Sequence, residues 1–419
     1  MDKETVAEKS KTAPVFTAGA EGFSFRSADT NFVLKVRGYM QADGRFYLDD
    51  RNSAAPNDTF LLRRIRPIFE GTVYDKFDYR LMLDFASGTF SSAPSGANDP
   101  FVQDAYANAR FKPWFQVQIG KMKEPVDLER LQSGANLSFV ERGFPTSLAP
   151  NRDVGVQLHG ETLAGSLTYA VGLFNGVGNG ASGDLEFADD EKDVAGRVFA
   201  TPFRDSKNSW LRGFGIGVGG SYGNQEGALG GIRSPGQQTF FSYAPPASAP
   251  ATTVAADGDH WRIAPQGYYY KGPFGLFGEY IISNQEVRRS GGAGASFLSA
   301  RNTAWMIGAS YFLTGEQNSF KPVVPKHPFN PGDGHWGAFE VTARVQQLDI
   351  DDEIFTRGFS NPATSATEAT SWLVGFNWHL NRNIKLNLNY EQTDFKGGSS
   401  SAFLREGEKV ILSRAQVTF

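Results

Sequence analysis

The sequence contains no cysteine in 419 residues, which excludes disulfide bonds, thiolate metal sites and cysteine nucleophiles. It has only five histidines, and none falls at the spacing of a metal-ligand motif, so we expect neither a bound metal nor a cofactor. No run of 18 apolar residues occurs, which excludes a transmembrane helix. A formal net charge of −4 without a long basic tract argues against a nucleic acid partner.

Glycine and aromatic side chains are abundant: the chain has 47 glycines, and 13% of its residues are Phe, Trp or Tyr. Apolar and polar residues alternate with a period of two in many segments, which is typical of β-strands with two different faces. The first such segment is 32–47. Its even positions are mostly apolar, whereas its odd positions include Arg37, Asp43 and Arg45. The pattern predicts an all-β fold.

Sixteen alternating segments follow one another along the chain. They lie near 32–47, 59–74, 79–86, 101–111, 115–122, 154–163, 166–175, 192–201, 211–222, 260–271, 276–286, 302–313, 335–349, 370–380, 384–392 and 408–419. Links after even-numbered segments are mostly tight, such as Lys112–Trp114, whereas those after odd-numbered segments are long and polar. This alternation is expected of an antiparallel barrel whose rims face different compartments. Two links depart from it, because Pro202–Trp210 is of middle length and Thr314–Gly334 is long.

Two further features favour a membrane barrel over a soluble β-sandwich, which rarely needs sixteen strands. Aromatic residues cluster at predicted strand ends, as in the aromatic girdles of outer-membrane barrels. These residues are Trp114, Phe115, Phe144, Trp336, Trp372 and Trp378. The chain also ends in an alternating segment closed by Phe419, which resembles the assembly signal of bacterial outer-membrane proteins.

We therefore predict an all-β fold, a 16-stranded antiparallel transmembrane β-barrel with short periplasmic turns, long extracellular loops and an inward-folded third loop. Residues 1–31 are predicted to form an N-terminal periplasmic extension, and residues 32–419 the barrel. The expected location is the outer membrane of a Gram-negative bacterium. Residues 1–11 are polar and lack the apolar core of a signal peptide, which by itself leaves open a cytosolic protein or a mature exported chain.

A closed sheet of sixteen strands encloses a lumen too wide for side chains to fill, so its polar faces line water. Pairing between basic and acidic residues on these faces explains most of their charges. The segment Arg63-Arg64-Ile65-Arg66 differs, because three guanidiniums lie within four residues and can bind phosphate or carboxylate oxygens in a forked geometry. Strict alternation turns Arg63 towards lipid. Either a bulge turns it inward, or it lies near the rim or a subunit interface.

The link Met122–Asp153 is long and carries charges of both signs, among them Lys123, Glu141 and Arg142. In a sixteen-stranded pore the third long loop commonly folds inward and narrows the channel. We therefore expect this stretch, about 122–153, to form the constriction loop.

Several blocks of sequence carry a family resemblance. In chain order they are Phe60–Tyr74, Ile119–Ser133 with Phe139–Arg142, Asp153–Gly155, Tyr311–Glu316 and Gly375–Asn381. Together they resemble the phosphate-selective porin O and P family, in order from about residue 32 to 419. The resemblance implies a trimeric sixteen-stranded outer-membrane porin with an arginine-lined constriction for anions. An Arg-Arg pair and a lysine on the inward loop line that constriction in phosphate-selective members, and the matching positions here are Arg63, Arg64 and Arg130.

The chain departs from the family pattern at three places. Tyr39 stands where phosphate-selective members have another constriction arginine, and Gln103 aligns with an aspartate. Those members also have a ladder of arginines after the ninth strand, where the stretch 223–259 of this chain offers only Arg233. The fold is therefore expected to carry over together with a preference for anions, but strict phosphate selectivity is not.

We expect a passive, water-filled channel for small inorganic anions such as phosphate, polyphosphate or chloride, and no enzymatic activity. The candidate anion-binding residues are Arg37, Arg45, Arg63, Arg64, Arg66, Lys121 and Arg130. Expected partners besides these anions are outer-membrane lipid, lipopolysaccharide and further copies of the chain in a homotrimer. The alternatives are a general diffusion porin with a charge-balanced lumen, an outer-membrane enzyme or adhesin with a plugged barrel, and a soluble β-protein.

Overall fold

The structure, a computed structural model, describes residues 13–48, 57–86, 102–183, 190–244, 252–291, 294–400 and 405–419. Sixteen strands form a closed antiparallel barrel, as the alternation predicts. The strands in chain order are β1 (Val15–Gly19), β2 (Gly22–Arg26), β3 (Phe32–Tyr47), β4 (Thr59–Val73), β5 (Phe77–Leu83), β6 (Val102–Lys112), β7 (Phe115–Lys123), β8 (Arg152–Thr162), β9 (Leu167–Phe174), β10 (Asp193–Ala200), β11 (Phe214–Ala228), β12 (Ile232–Arg233), β13 (Thr239–Phe241), β14 (Thr253–Lys271), β15 (Phe274–Ser290), β16 (Ser296–Phe312), β17 (Ala338–Asp349), β18 (Ala366–His379), β19 (Ile384–Gly397) and β20 (Glu408–Thr418). The barrel consists of β3 to β11 and β14 to β20, while β12 and β13 form a separate two-stranded ribbon.

The last strand closes the barrel by pairing with the first barrel strand. Arg414 of β20 lies opposite Asp43 of β3, and the pairing continues down to Tyr39. Phe419 ends this seam, where its backbone exchanges two hydrogen bonds with Gly38, at 2.9 and 3.0 Å. A closed ring of paired strands satisfies the backbone N–H and C=O groups, as a lipid environment requires.

The predicted N-terminal extension contains a β-hairpin that belongs to the same sheet. Strand β2 pairs with residues 33–36 of β3, next to the stretch of β3 that pairs with β20. Glu21 in the hairpin turn forms ion pairs with Arg37, at 2.9 Å, and with Arg382. The hairpin therefore supports the periplasmic end of the closing seam. Residues 1–12 of the predicted extension lie outside the described residues.

Several strands extend further towards the extracellular rim than the alternation predicts. Strand β11 ends at Ala228 rather than near 222, and β14 begins at Thr253 rather than near 260. Residues between 286 and 302, predicted as a loop, mostly continue β15 and β16. Beyond the apolar band both faces of a strand meet water, so alternation fades while backbone pairing continues. The sequence therefore underestimates the strands on this side.

The predicted inner and outer faces are confirmed. Met40 is 46% exposed on the outside, whereas the adjacent Gln41 is fully buried inside. Trp114 and Trp336 are exposed, as expected of girdle residues at the rims. The assignment of Phe144 to a girdle is wrong, because its ring is buried among apolar residues of the barrel interior, where it packs against the ring of Phe240.

The third long link folds into the barrel, as predicted, and residues 124–151 are called the inner loop below. It contains two single-turn helices, α1 (Leu128–Leu131) and α2 (Pro145–Leu148), and a third helix, α3 (Asp352–Thr356), lies in a later link. The inner loop reaches opposite walls: Gln41 of β3 donates a hydrogen bond to its carbonyl at Gly134, and its N–H at Leu128 donates to Glu279 of β15. No helix of the described residues is long and apolar enough to cross a membrane.

The long link 313–337 on the periplasmic rim, already an exception in the sequence, folds back towards the inner loop. The ring of Phe320 packs against those of Tyr268, Tyr270 and Phe277, with centroids 5.1 to 6.2 Å apart. Its carbonyl accepts a hydrogen bond from Asn136 of the inner loop at 3.5 Å. The periplasmic link therefore narrows the barrel mouth from below, which accounts for its length.

Candidate functional site

A β-bulge decides where the arginine-rich segment of β4 points. Gln41 of β3 pairs with Arg64, but the next residue, Ala42, pairs with Leu62, so Arg63 is the extra residue. A bulge places two residues of one strand against one of its neighbour and shifts the alternation by one position. Leu62 is therefore exposed on the outside, while Arg63 and Arg64 both point inward. Of the explanations that the sequence left open for Arg63, the structure shows the bulge.

Arg63 ends on the carboxylate of Glu141 in the inner loop, with nitrogen–oxygen distances of 2.7 and 3.1 Å. Arg45 of β3 contacts the same carboxylate at 3.1 Å, and Arg414 of β20 lies at 3.5 Å. Arg414 is also held by Asp43, through two contacts of 2.7 Å. Arg45, Arg63 and Arg414 around Glu141 are called the arginine cluster below. The cluster attaches the inner loop to the wall.

The charge of Glu141 is set by these neighbours. Burial alone would raise the pKa of Glu141, whose side chain is only 6% exposed. The guanidiniums of Arg63, Arg414 and Arg45 outweigh burial and lower the pKa of Glu141 well below its ordinary value. Glu141 therefore stays ionised, and the protein itself supplies part of the negative charge that balances the cluster.

Arg64 lies beside the cluster but forms no ion pair with any residue that the structure describes. Its guanidinium donates to the amide oxygen of Gln41 at 2.7 Å, and its buried Nε has no hydrogen-bond partner among the described residues. The side chain packs beneath Gly134 of the inner loop. Arg64 therefore keeps an uncompensated positive charge where the inner loop meets the wall.

Arg66 joins the two constriction positions at which the chain departs from the family pattern. It donates to the hydroxyl of Tyr39 at 2.9 Å and to the amide oxygen of Gln103 at 3.2 Å. Gln103 reaches it from a bulge in β6. Arg66 also forms an ion pair with Asp84 at 2.6 Å, so its charge is compensated. It acts as a wall residue within a polar network.

Three cations at the inner loop bind backbone carbonyls instead of carboxylates. Lys123 donates to the carbonyls of Gln132 and Leu131, at 2.9 and 3.2 Å. Arg142 donates to the same Gln132 carbonyl at 2.8 Å and to that of Glu129 at 3.1 Å. Arg130 donates to the carbonyl of Thr146. Burial and the nearby Arg142 lower the pKa of Arg130 to about 10, which still leaves it protonated at neutral pH. The structure groups Arg130 with Arg142 rather than with Arg63 and Arg64.

Two cavities lie between the inner loop and the periplasmic rim, and both are lined by Tyr39 and Arg80. The larger cavity has a volume of about 530 Å³, and its charged lining consists of Arg80, Lys123, Arg152 and Arg197 against Asp104 and Glu161. The smaller has about 310 Å³, and its charged side chains are Arg37, Arg80, Lys321, Arg382 and Lys385 against Glu21 and Glu70. Cations therefore outnumber carboxylates in both.

The cations of the larger cavity are of two kinds. Arg80 and Arg152 share Asp104, at 3.0 and 2.7 Å. Arg197 instead donates to the amide oxygen of Gln266 at 2.7 Å, and its guanidinium lies 4.4 Å from the ring centroid of Phe199. Neither Arg197 nor Lys123 forms an ion pair within the described part of the chain, so these two supply the excess charge.

The sequence profile of a family described as phosphate-selective porin O and P matches residues 34–419. The chain belongs to this family. A relative, Porin O of Pseudomonas aeruginosa, is 24% identical over 395 residues, which cover 88% of this chain and 84% of the relative. Family membership and the barrel identify the chain as an outer-membrane porin of a Gram-negative bacterium, that is, a channel.

Solved porin structures share the fold of this porin at low sequence identity. The outer-membrane channel DcaP of Acinetobacter baumannii is 12% identical, with coverage of 96% of this chain and 100% of that one and a TM-score of 0.57. An anion-selective porin from Comamonas acidovorans is 13% identical, with coverage of 93% and 100% and a TM-score of 0.52. OmpT of Vibrio cholerae, in its trimer form, is 12% identical, with coverage of 93% and 99% and a TM-score of 0.51.

Two further predicted anion-binding residues of this porin lie away from the arginine cluster. Arg37 lies in the smaller cavity and forms ion pairs with Glu21 at 2.9 Å and Glu70 at 3.3 Å. Lys121 lies opposite Ala105 on β7 with its side chain buried, and it lines neither of the two cavities.

The sequence did not identify Glu141 as the partner of Arg63 or Arg197 as an uncompensated cation. Arg63 and Glu141 lie 78 residues apart, and Arg414 and Glu141 lie 273 residues apart. Contacts between an inner loop and distant strands leave no local pattern. Alternation does place Arg197 on the lumen face, but it does not show that its nearest partner is an amide.

Proposed function

We propose that this porin is a passive, water-filled channel that prefers small anions to cations. The observation that carries the proposal is the excess of cations over carboxylates in both cavities beneath the inner loop. The chain as a whole has a net charge of −4, so overall composition does not produce this local excess. Cations that line a narrow aqueous passage raise the local concentration of anions and lower that of cations.

An anion in such a passage is held briefly rather than trapped. Lys123 and Arg197 in the larger cavity already donate to neutral oxygen atoms, and Arg64 does the same beside the inner loop. These cations attract an anion by charge without offering an empty, preformed site. Conduction needs binding that is weak enough for release, and this arrangement meets the requirement.

We propose that chloride, phosphate and polyphosphate all permeate, without strict selectivity for phosphate. A selective phosphate site needs guanidiniums that are free to fork onto phosphate oxygens. Here Glu141 occupies Arg63, and Asp84 occupies Arg66. Tyr39 and Gln103 bring a hydroxyl and an amide to Arg66, where the family resemblance implies charged groups.

We also propose that the porin forms a homotrimer, as OmpT does in its trimer form. The outer surface of β3 and β4 exposes Met40, Phe60 and Leu62, which suit contact with lipid or with a neighbouring subunit. Outer-membrane lipid and lipopolysaccharide are the expected surroundings of the remaining outer wall.

A general diffusion porin is the second candidate, because much of the wall charge is compensated. Arg66 pairs with Asp84, Arg80 with Asp104, and Arg344 of β17 with Glu391 of β19. If such pairs dominate the field along the permeation path, the channel discriminates little between anions and cations.

The reversal potential of single channels in a KCl gradient separates these functions. We expect purified protein in a planar bilayer to give a potential with the sign and size of a chloride-preferring pore. A potential close to zero would favour the general diffusion porin. An absence of conductance from correctly folded protein would favour a plugged barrel.

A further inference from the structure

Glu141 occupies the position that an external anion would take in the arginine cluster. Its two oxygens receive a forked contact from Arg63, at 2.7 and 3.1 Å, and a further contact from Arg45 at 3.1 Å. Guanidinium groups bind a free carboxylate or phosphate in this geometry. Unlike a dissolved anion, this carboxylate belongs to the inner loop, and the backbone of the loop holds it beside the guanidiniums.

The other carboxylates of the inner loop that accept hydrogen bonds serve the loop backbone. Asp127 caps α1 by accepting from the N–H of Arg130 at 2.6 Å. Glu129 accepts from the N–H of Gly143 at 2.7 Å, and the nearest guanidinium to it, that of Arg344, lies at 3.9 Å. Glu141 is thus the inner-loop carboxylate that is bonded directly to guanidiniums of the wall.

One member of the cluster, Arg63, is within reach of a dissolved anion. The side chain of Arg63 remains 30% exposed although it is bonded to Glu141. Arg64, its neighbour on the bulge, has no carboxylate partner in the described chain. Without the charge of Glu141, Arg63 would also lose its carboxylate, and two adjacent guanidiniums of the bulge would lack a carboxylate partner in the described chain.

We propose that Glu141 is an internal counter-ion that competes with permeating anions for the arginine cluster and so determines the specificity of the pore. This inference rests on the proposed anion channel. The carboxylate keeps the affinity of the cluster for a dissolved anion low, because an incoming anion must displace a partner that cannot diffuse away. The pore then passes anions generally, although it contains the arginine pair implied for phosphate binding.

The test is the block of chloride current by inorganic phosphate in single channels of the Glu141→Gln variant. Glutamine keeps the size of the side chain and removes its charge. Because the forked contact of Arg63 then becomes available to a dissolved anion, we expect the half-blocking phosphate concentration to fall at least about tenfold. An unchanged or higher half-blocking concentration would overturn the inference.

Glu129→Gln is the matched control, because it neutralises a buried carboxylate of the same loop that is bonded to backbone. We expect it to leave the phosphate block near the wild-type value. Arg63→Gln supplies the second test. It should weaken the phosphate block strongly in the Glu141→Gln background and only slightly in the wild type, where Glu141 already occupies Arg63. Equal effects in both backgrounds would contradict competition.

The two proposals fail in different ways. If the wild-type reversal potential shows no anion preference, the proposed function is wrong. If the wild type prefers anions but Glu141→Gln does not change the phosphate block, only the competing role of Glu141 is wrong. A heat-dependent shift in gel mobility checks that each variant is a folded barrel. If Glu141→Gln alone does not fold, the phosphate block of the Arg63→Gln/Glu141→Gln double variant, which has the net charge of the wild type, is compared with that of Arg63→Gln.

Discussion

Arg64 and Arg37 carry the same charge on the lumen side of adjacent strands, but they differ in their partners. Arg64 donates to the neutral amide of Gln41, whereas Arg37 forms ion pairs with Glu21 and Glu70. A compensated charge adds little to the field in the passage, because its partner cancels most of it at a distance. The number of lumen arginines is therefore a poor guide to selectivity.

Arg64→Gln should lower the anion-to-cation permeability ratio more than Arg37→Gln does. A unit charge near a narrow passage contributes on the order of 1 kcal/mol even in a well-hydrated setting, so the decrease for Arg64 should be several-fold. When Arg37 is lost, Glu70 keeps Arg80 as a partner, so the Arg37 substitution should change the permeability ratio less. Reversal potentials of both variants in the same KCl gradient provide the comparison. Equal ratios would rule out the special position of Arg64.

The residues of the site could be predicted in part from the sequence. The run Arg63, Arg64 and Arg66 is visible in the sequence as three like charges, and alternation places Arg45 on the polar face of its strand. The orientation of Arg63 could not be settled, because a bulge depends on pairing with β3 and has no local signature here. The role of Glu141 depends on contacts between segments that are far apart in the sequence.

At the scale of elements, the position of the inner loop depends on close approach to the wall. Gly219 of β11 lies opposite Arg197, and a Cβ atom there would collide with the carbonyl oxygen of Val126 in the inner loop. That carbonyl accepts a hydrogen bond from Gln266 at 2.7 Å, and Gln266 also holds Arg197. Glycine at 219 therefore lets the start of the loop lie flat against β11.

Gly219→Val should displace the start of the inner loop from the wall. Overpacking at such a contact costs about 1–3 kcal/mol, which the loop relieves by moving into the lumen. We expect altered single-channel conductance and a lower anion preference, because Arg197 loses its fixed position. Gly230→Val is the control, since no heavy atom of the described residues, apart from its chain neighbours, lies within 4 Å of a Cβ at that site. If both variants conduct like the wild type, Gly219 does not position the loop.

The strands were the most predictable elements, since one face meets lipid and the other meets water along the apolar band. Prediction from the sequence failed for segments that do not have one face in lipid and the other in water. The hairpin β1–β2 pairs with β3 next to the closing seam, and its pairing was not predicted. The link 313–337 was recognised as unusually long, but its contact with the inner loop through Phe320 follows only from the three-dimensional arrangement.

At the scale of the whole molecule, overall charge and local charge have opposite signs. The chain has a net charge of −4, yet both cavities beneath the inner loop have more cations than carboxylates in their lining. Selectivity is set by the charges that face the path, because charges further away are screened by salt. The composition of the chain therefore could not predict its ion preference.

The central claim is that uncompensated cations beneath the inner loop set the anion preference, and Lys123 and Arg197 are its most direct test. The measurement is the reversal potential of the Lys123→Gln/Arg197→Gln double variant in a KCl gradient, next to that of the wild type. We predict a shift towards zero, because the lining of the larger cavity then has as many carboxylates as cations. A double variant that keeps the wild-type potential would contradict the account.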